Sequence, residues 1–175
     1  MFGQILVAVD GSPTGNRGLK AAIGLAADQK GALSILHVVN DMSAVAQIGD
    51  TGYVPPAFVD DLLEELRKNG RRILAKASAL ARASGVEPTE RLVETRGGSI
   101  ADAILAEARR LRVDVIVLGT HGRSGLRRVL MGSGAEAVLR EARVPVLLVR
   151  SPERSARAVP ASARGRKRGK QKPGG

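Results

Sequence analysis

VDVIVLGTHGRSGLRRVLMGSGAEAVLREARVPVLLVR (113–150) contains two apolar runs, 113–119 and 144–149, with a glycine-rich link and a helical stretch between them. Neither run alternates apolar with polar residues. Short continuous apolar runs bounded by turn residues read as strands buried on both faces, the signature of a parallel sheet. The segment around 132–142 reads as the helix between them. Strand, glycine-rich link, helix, strand is the unit from which the rest of the chain is built.

The same unit recurs upstream. QILVAVD (4–10) is a first strand, and GSP follows it, with Ser12 as helix cap and Pro13 in the first turn. Leu19, Ala22, Ile23 and Ala26 then recur at helical spacing. ALSILHVV (32–39) is a second strand. Gly49, Gly52 and Pro55-Pro56 make 40–56 a long loop. From about Phe58 to Ala83 a long helix presents Leu62, Leu66, Ile73, Ala77 and Leu80 on one side. TERLVET (89–95) is a third strand. Gly97-Gly98 turns the chain, and Ser99 with Asp102 forms a capping box for the helix IADAILAEARRL. Strands 113–119 and 144–149 are the fourth and fifth.

This alternation predicts an α/β fold whose parallel sheet carries helices on both faces. In such sheets ligands sit beyond the carboxyl ends of the strands, where the winding reverses. Asp10 ends strand one, and the glycine link leaves strand four. If those strands are neighbours, both face one crevice.

Composition narrows the chemistry. The 175 residues contain no cysteine, two histidines (His37 and His121) and three aromatic residues (Phe2, Tyr53 and Phe58). Thiolate metal sites and disulfides are excluded, and aromatic stacking on single-stranded nucleic acid is disfavoured. No apolar run approaches membrane-spanning length, and ILVAV runs at once into Asp10, so it reads as a strand rather than a signal peptide. A cytoplasmic protein is the expectation. The net charge of +11 is unevenly spread. Residues 151–175 carry eight Lys or Arg and one Glu, and residues 1–150 a net +4. We therefore divide the chain into a domain over 1–150 and a basic, disordered tail over 151–175.

Gly119, Gly122, Gly132 and Ser133 span a strand-to-helix link. A helix start offers unpaired N–H groups and partial positive charge to a phosphate, and glycine lets the phosphate approach the backbone. The plainer reading is that glycines make turns and let helices pack closely. Arg123, Arg127 and Arg128 either screen the phosphates or form a solvated loop. Competing motifs fail: there is no G-x4-G-K-[ST] and no G-x-S-x-G. GSGAEA (132–137) lacks the direct strand and following βαβ unit of a dinucleotide fingerprint.

G-x2-G-x9-G-[S/T], met by Gly119, Gly122, Gly132 and Ser133, resembles the nucleotide-binding pattern of the universal stress protein family. ILVAVDGS, ILHVV, VDVIVLGTHGRSG and VPVLLVR are similar to that family too, over residues 2–150. The resemblance implies a five-stranded parallel sheet of order 3-2-1-4-5, of the adenine nucleotide alpha hydrolase-like, Rossmann-like type. It also implies bound ATP and a homodimer. By position it places Ala8 and Val38 beside the adenine, Val38 also through its backbone. Asp10 falls near the ribose or a phosphate-bound Mg²⁺, and Leu118 and Gly119 form the floor. His121, Gly122, Gly132, Ser133, Gly134 and Ala135 fall along the phosphates. Relatives often carry a hydroxyl where this chain has Ala135, a loss worth about 1–2 kcal/mol. The apolar last strand, 144–149, would be the dimer edge. The alternatives are a slow ATPase or nucleotidyl-transfer enzyme using Asp10 and His121, and weak nucleic-acid association through RGRKRGK (164–170) in the tail.

Overall fold

In a computed structural model that describes residues 2–41, 56–120 and 132–150, the chain runs in strict alternation. The order is β1 (Gln4–Ala8), α1 (Pro13–Gln29), β2 (Ala32–Val39), α2 (Pro56–Ala83) and β3 (Pro88–Glu94), then α3 (Ile100–Leu111), β4 (Val115–Gly119), α4 (Ser133–Glu141) and β5 (Val146–Val149). The strands form one parallel sheet of order β3-β2-β1-β4-β5, as the resemblance implies. Residues 42–55 of the segment 40–56 expected as a loop, 121–131 of the glycine link and 151–175 lie outside the described residues, and Pro56, expected in that loop, is the first residue of α2.

Successive strand residues point to opposite faces, and here both faces are covered. Ile5, Val7, Ile35, Val115 and Val117 pack under Leu19 and Ile23 of α1 and Leu74, Ala77 and Ala81 of α2. Leu6, Leu36, Ile116 and Leu118 pack under Ile104, Leu105 and Ala108 of α3 and Val138 of α4. Double burial is why the strands read as unbroken apolar runs.

Ser12 caps α1, accepting from the Gly15 N–H at 3.0 Å, with Pro13 at the first helical position. Ser99 and Asp102 form the reciprocal box at α3: the Asp102 N–H donates to Ser99 Oγ at 3.0 Å, and the Ser99 N–H to Asp102 Oδ2 at 3.2 Å. Four expectations need correction. β1 stops at Ala8 rather than Asp10, and β4 and β5 begin two residues late, because paired residues end there: single bonds continue past the ends, from the Val9 N–H to the Leu36 carbonyl, the Asp114 N–H to the Gln4 carbonyl and the Ile116 N–H to the Pro145 carbonyl, without a further residue pair. Leu80 of the long helix is exposed, and Leu74 and Ala81 are buried instead.

The edge strand β3 is tied to the sheet's helices through charge. Glu107 of α3, 6% exposed, accepts from Arg91 Nε and Arg110 Nη2, both at 2.7 Å, and from Arg110 Nε at 2.8 Å. The Arg110 hydrogen bonds, with those of Arg91 behind them, hold its carboxyl below the usual glutamate value against the opposing pull of burial. A carboxyl whose folded pKa is depressed contributes stability above its unfolded pKa, about 4.3, and loses it as pH falls through the folded value. Urea unfolding should therefore show a stability decrease below about pH 4.3, and Glu107→Gln should flatten that part of the curve. An unaltered acid limb in the variant would rule the contribution out.

Candidate functional site

Between β1 and β4 the winding reverses: the chain goes from β1 outward to β2 and β3, then returns to β4 and β5. The direct pairing of β1 with β4 puts Asp10 and the start of the glycine link on one crevice. A cleft of about 540 Å³ opens there. Its lining includes every proposed site residue that the structure describes: Ala8, Asp10, Val38, Leu118, Gly119, Gly132, Ser133, Gly134 and Ala135. His121 and Gly122 lie outside the described residues, as do Arg123, Arg127 and Arg128.

One wall is apolar. Ala8, Val38, Leu118 and Ala135 belong to the cluster under α3 and α4, with Ile104 beside them. The opposite side carries polar groups: Asp10, His37 and Asn40 from the strand ends, and Asn69 from α2. Arg67, two residues before Asn69, donates to both oxygens of Glu94 at 2.8 and 3.1 Å, which fastens this part of α2 to the end of β3. That contact holds the Glu94 carboxyl below the usual range.

The start of α4 differs from the starts of α1 and α3. Its N-cap is Gly132, which has no side chain with which to cap. The Gly132 N–H donates to the Thr120 carbonyl at 2.9 Å, and the first helical bond runs from the Glu136 N–H to the Gly132 carbonyl at 3.0 Å. Among the described residues the N–H groups of Ser133, Gly134 and Ala135 have no acceptor, at a cleft that all three residues line. Helix-start amides of this kind are normally satisfied by a side chain, water or ligand.

The glycines divide by use. A Cβ built on Gly119 would come within 2.8 Å of the Thr14 carbonyl carbon and 2.9 Å of the Gly15 nitrogen. Gly119 is bare so that the first turn of α1 can lie against β4, which is the plain packing reading. Among the described residues a Cβ on Gly134 would meet nothing within 4 Å, so this glycine leaves space at the cleft instead.

Asp10 Oδ1 accepts from the Ser12 N–H at 2.9 Å, so its helix-start role and its place in the cleft coexist. Among the described residues no group of three or more acidic, histidine or cysteine side chains could hold a metal directly. His37 is buried, and its strand β2 lies inside the sheet. Sequence reasoning missed Asn69, Ile100, Ile104 and Thr120 as lining residues. Asn69 had a legible signal, an amide interrupting the inward stripe of Leu62, Leu66 and Ile73.

Comparison with known proteins gives one answer. The profile described as Universal stress protein family matches residues 1–150. The universal stress protein YxiE of Bacillus subtilis is 39% identical over 154 residues, covering 86% of this chain and all of that one. A crystal structure from the same family in Burkholderia pseudomallei is 36% identical, with a TM-score of 0.67, over 85% of this chain and 96% of that one. A universal stress protein crystallised in complex with cAMP is 26% identical, with a TM-score of 0.61, over 85% and 97% of the two chains.

Proposed function

The chain belongs to the universal stress protein family, and from that premise we propose that its cleft binds an adenine nucleotide, ATP in particular, and that occupancy regulates a stress-response role. The observation that carries this reading is the meeting of two surfaces in one cleft. Three amides at the start of α4, without an acceptor among the described residues, belong to residues lining the same space as an aliphatic wall. The first suits an anionic phosphate chain and the second an apolar base. The cAMP of the 26%-identical relative belongs to the same ligand class.

In this reading Ala8, Val38, Leu118 and Gly119 receive the base, and the Val38 backbone bonds its edge. Ser133, Gly134 and Ala135 donate main-chain N–H groups to the phosphates, and Ser133 adds its hydroxyl. His121 and Gly122 extend that contact from the link. Asp10 has one oxygen on Ser12, and its carboxylate bonds the ribose or a Mg²⁺ carried in on the phosphates. Regulation then requires only that the nucleotide favour one conformation over another.

Mass spectrometry of the purified protein should find retained adenine nucleotide. ATP at one hundred times its dissociation constant should raise the unfolding free energy by about 2.7 kcal/mol. No change in the melting curve with millimolar ATP, ADP, AMP or cAMP would overturn the assignment.

The assembly we propose is a homodimer through the last strand, 144–149. β5 is a sheet edge, and Leu147 on it is 41% exposed. The opposite edge, β3, is guarded by Glu90 and Arg91, the kind of charge that discourages edge pairing. Light scattering at micromolar protein should give twice the chain mass, and Leu147→Lys should return it to one. A monomeric wild type would refute the pairing. Among the described residues no helix is long and apolar enough to cross a membrane.

A further inference from the structure

We propose that His37 is a positioning residue: it opens the β1–β2 ladder one step early and so presents the Val38 N–H and the Asp10 carboxylate to the cleft. The nucleotide part of this inference rests on the function proposed above.

Paired residues of β1 and β2 run from Gln4↔Ala32 to Ala8↔Leu36, and the Val9 N–H still donates to the Leu36 carbonyl at 2.8 Å. In a parallel ladder the next bond would run from the Val38 N–H to the Val9 carbonyl. Among the described residues that bond is absent. The Val9 carbonyl accepts instead from the His37 ring, whose Nδ1 lies 2.7 Å away. A carbonyl can only accept, so Nδ1 carries the proton of this bond.

The substitution has a geometric consequence. Leu36 turns its backbone groups toward β1, so Val38, two residues on, turns its own the same way. With Val9 held by the imidazole, the Val38 N–H is left facing the gap between β1 and β2, where the cleft begins. The same bond fixes the carbonyl immediately before Asp10, and Asp10 in turn holds the Ser12 N–H at the start of α1.

The ring cannot move freely. A Cβ on Gly70 of α2 would come within 2.7 Å of His37 Cδ2 and 3.3 Å of Nε2. Gly70 thus lets α2 seal the ring in place, and the Arg67–Glu94 pair anchors α2 three residues away. A histidine that is 7% exposed in a strand core, with its donor aimed at a carbonyl just past a ladder's end, serves the shape of the strand exit.

The test uses the full chain in two measurements. Amide exchange of the nucleotide-free protein follows the Val38 N–H, and titration with ATP follows affinity. In His37→Leu the Val9 carbonyl loses its donor, so the ladder should close onto Val38. The Val38 amide should then exchange at least about tenfold more slowly, while ATP binding weakens at least about fivefold, the scale of one lost hydrogen bond. His37→Asn places an amide donor near the Nδ1 position and should restore both values. Gly70→Ala, which keeps the imidazole but displaces it, should shift both in the direction of His37→Leu, and it carries the test if that variant does not fold.

General destabilisation would speed exchange, so slowing separates positioning from mere structural damage. Unchanged or faster Val38 exchange in His37→Leu overturns the proposal. So does an Asn variant that behaves like the Leu variant, or slowed exchange with unaltered ATP affinity. A wild type that binds no ATP sinks the nucleotide assignment alone, and the exchange measurement still decides the role of His37.

Discussion

Gly119→Val is expected to lower the unfolding free energy by about 3 kcal/mol, at the upper end of overpacking costs. The Cβ alone would stand 2.8–2.9 Å from the carbonyl carbon and oxygen of Thr14 and the nitrogen of Gly15. These are backbone atoms in the first turn of α1, and they cannot rotate away as a side chain would. The turn is itself fixed, since the Gly15 N–H donates to the Ser12 hydroxyl and the Ser12 N–H to Asp10. Relief would require α1 to lift from β4, uncovering Val117 and Leu19, both buried in the same cluster. Urea unfolding checks the value. Gly134→Ala is the control: its new methyl meets nothing, and the gain in helix propensity should leave stability equal or raised by up to about 1 kcal/mol. A Gly119→Val protein within about 1 kcal/mol of wild type would show that close approach of α1 is not what this glycine serves.

The second large effect is on binding. Gly134→Leu should weaken ATP affinity about a hundredfold while leaving the fold intact. Among the described residues no atom lies within 4 Å of a Cβ added to Gly134, which lines the cleft, so a leucine there is expected to extend into the room in front of the α4 amides. Loss of two hydrogen bonds to a charged phosphate, at about 1.5 kcal/mol each or more, corresponds to roughly two decades in the dissociation constant. Gly24→Leu is the matched control. Gly24 lies exposed on α1, outside the cleft lining, with nothing within 4 Å of its added Cβ. Isothermal titration of both variants settles the matter. ATP capture by Gly134→Leu at wild-type strength would remove the phosphate cradle from the account.

The two glycines show where reading residues in order stops being enough. In sequence, Gly119 and Gly134 are alike: both flank the link between β4 and α4, and both look like phosphate positions. The fold separates them, because α1, more than a hundred residues earlier, happens to lie on one and not on the other. The misplaced stripe of the long helix has a related origin. Counting apolar side chains selects Leu80, but the helix touches the sheet along Gly70, Leu74, Ala77 and Ala81. Gly70 contributes contact by lacking a side chain, and an apolar count cannot see it.

The caps are a contrasting case. Ser12 with Pro13, and Ser99 with Asp102, act within four residues of themselves, so their chemistry is complete in the local sequence. Periodicity likewise carried the alternation of strands and helices and their burial on both faces. These properties depend on a residue and its near neighbours, and the amino-acid sequence by itself determined them. The pairing of β1 with β4 came from the family resemblance rather than from any local pattern; the α4 amides left without an acceptor among the described residues beside an aliphatic wall, and the exchange of a ladder bond for the His37 ring, were decided only by tertiary structure. Each depends on groups from distant segments arriving within a few ångströms of one another, and no local pattern records that distance.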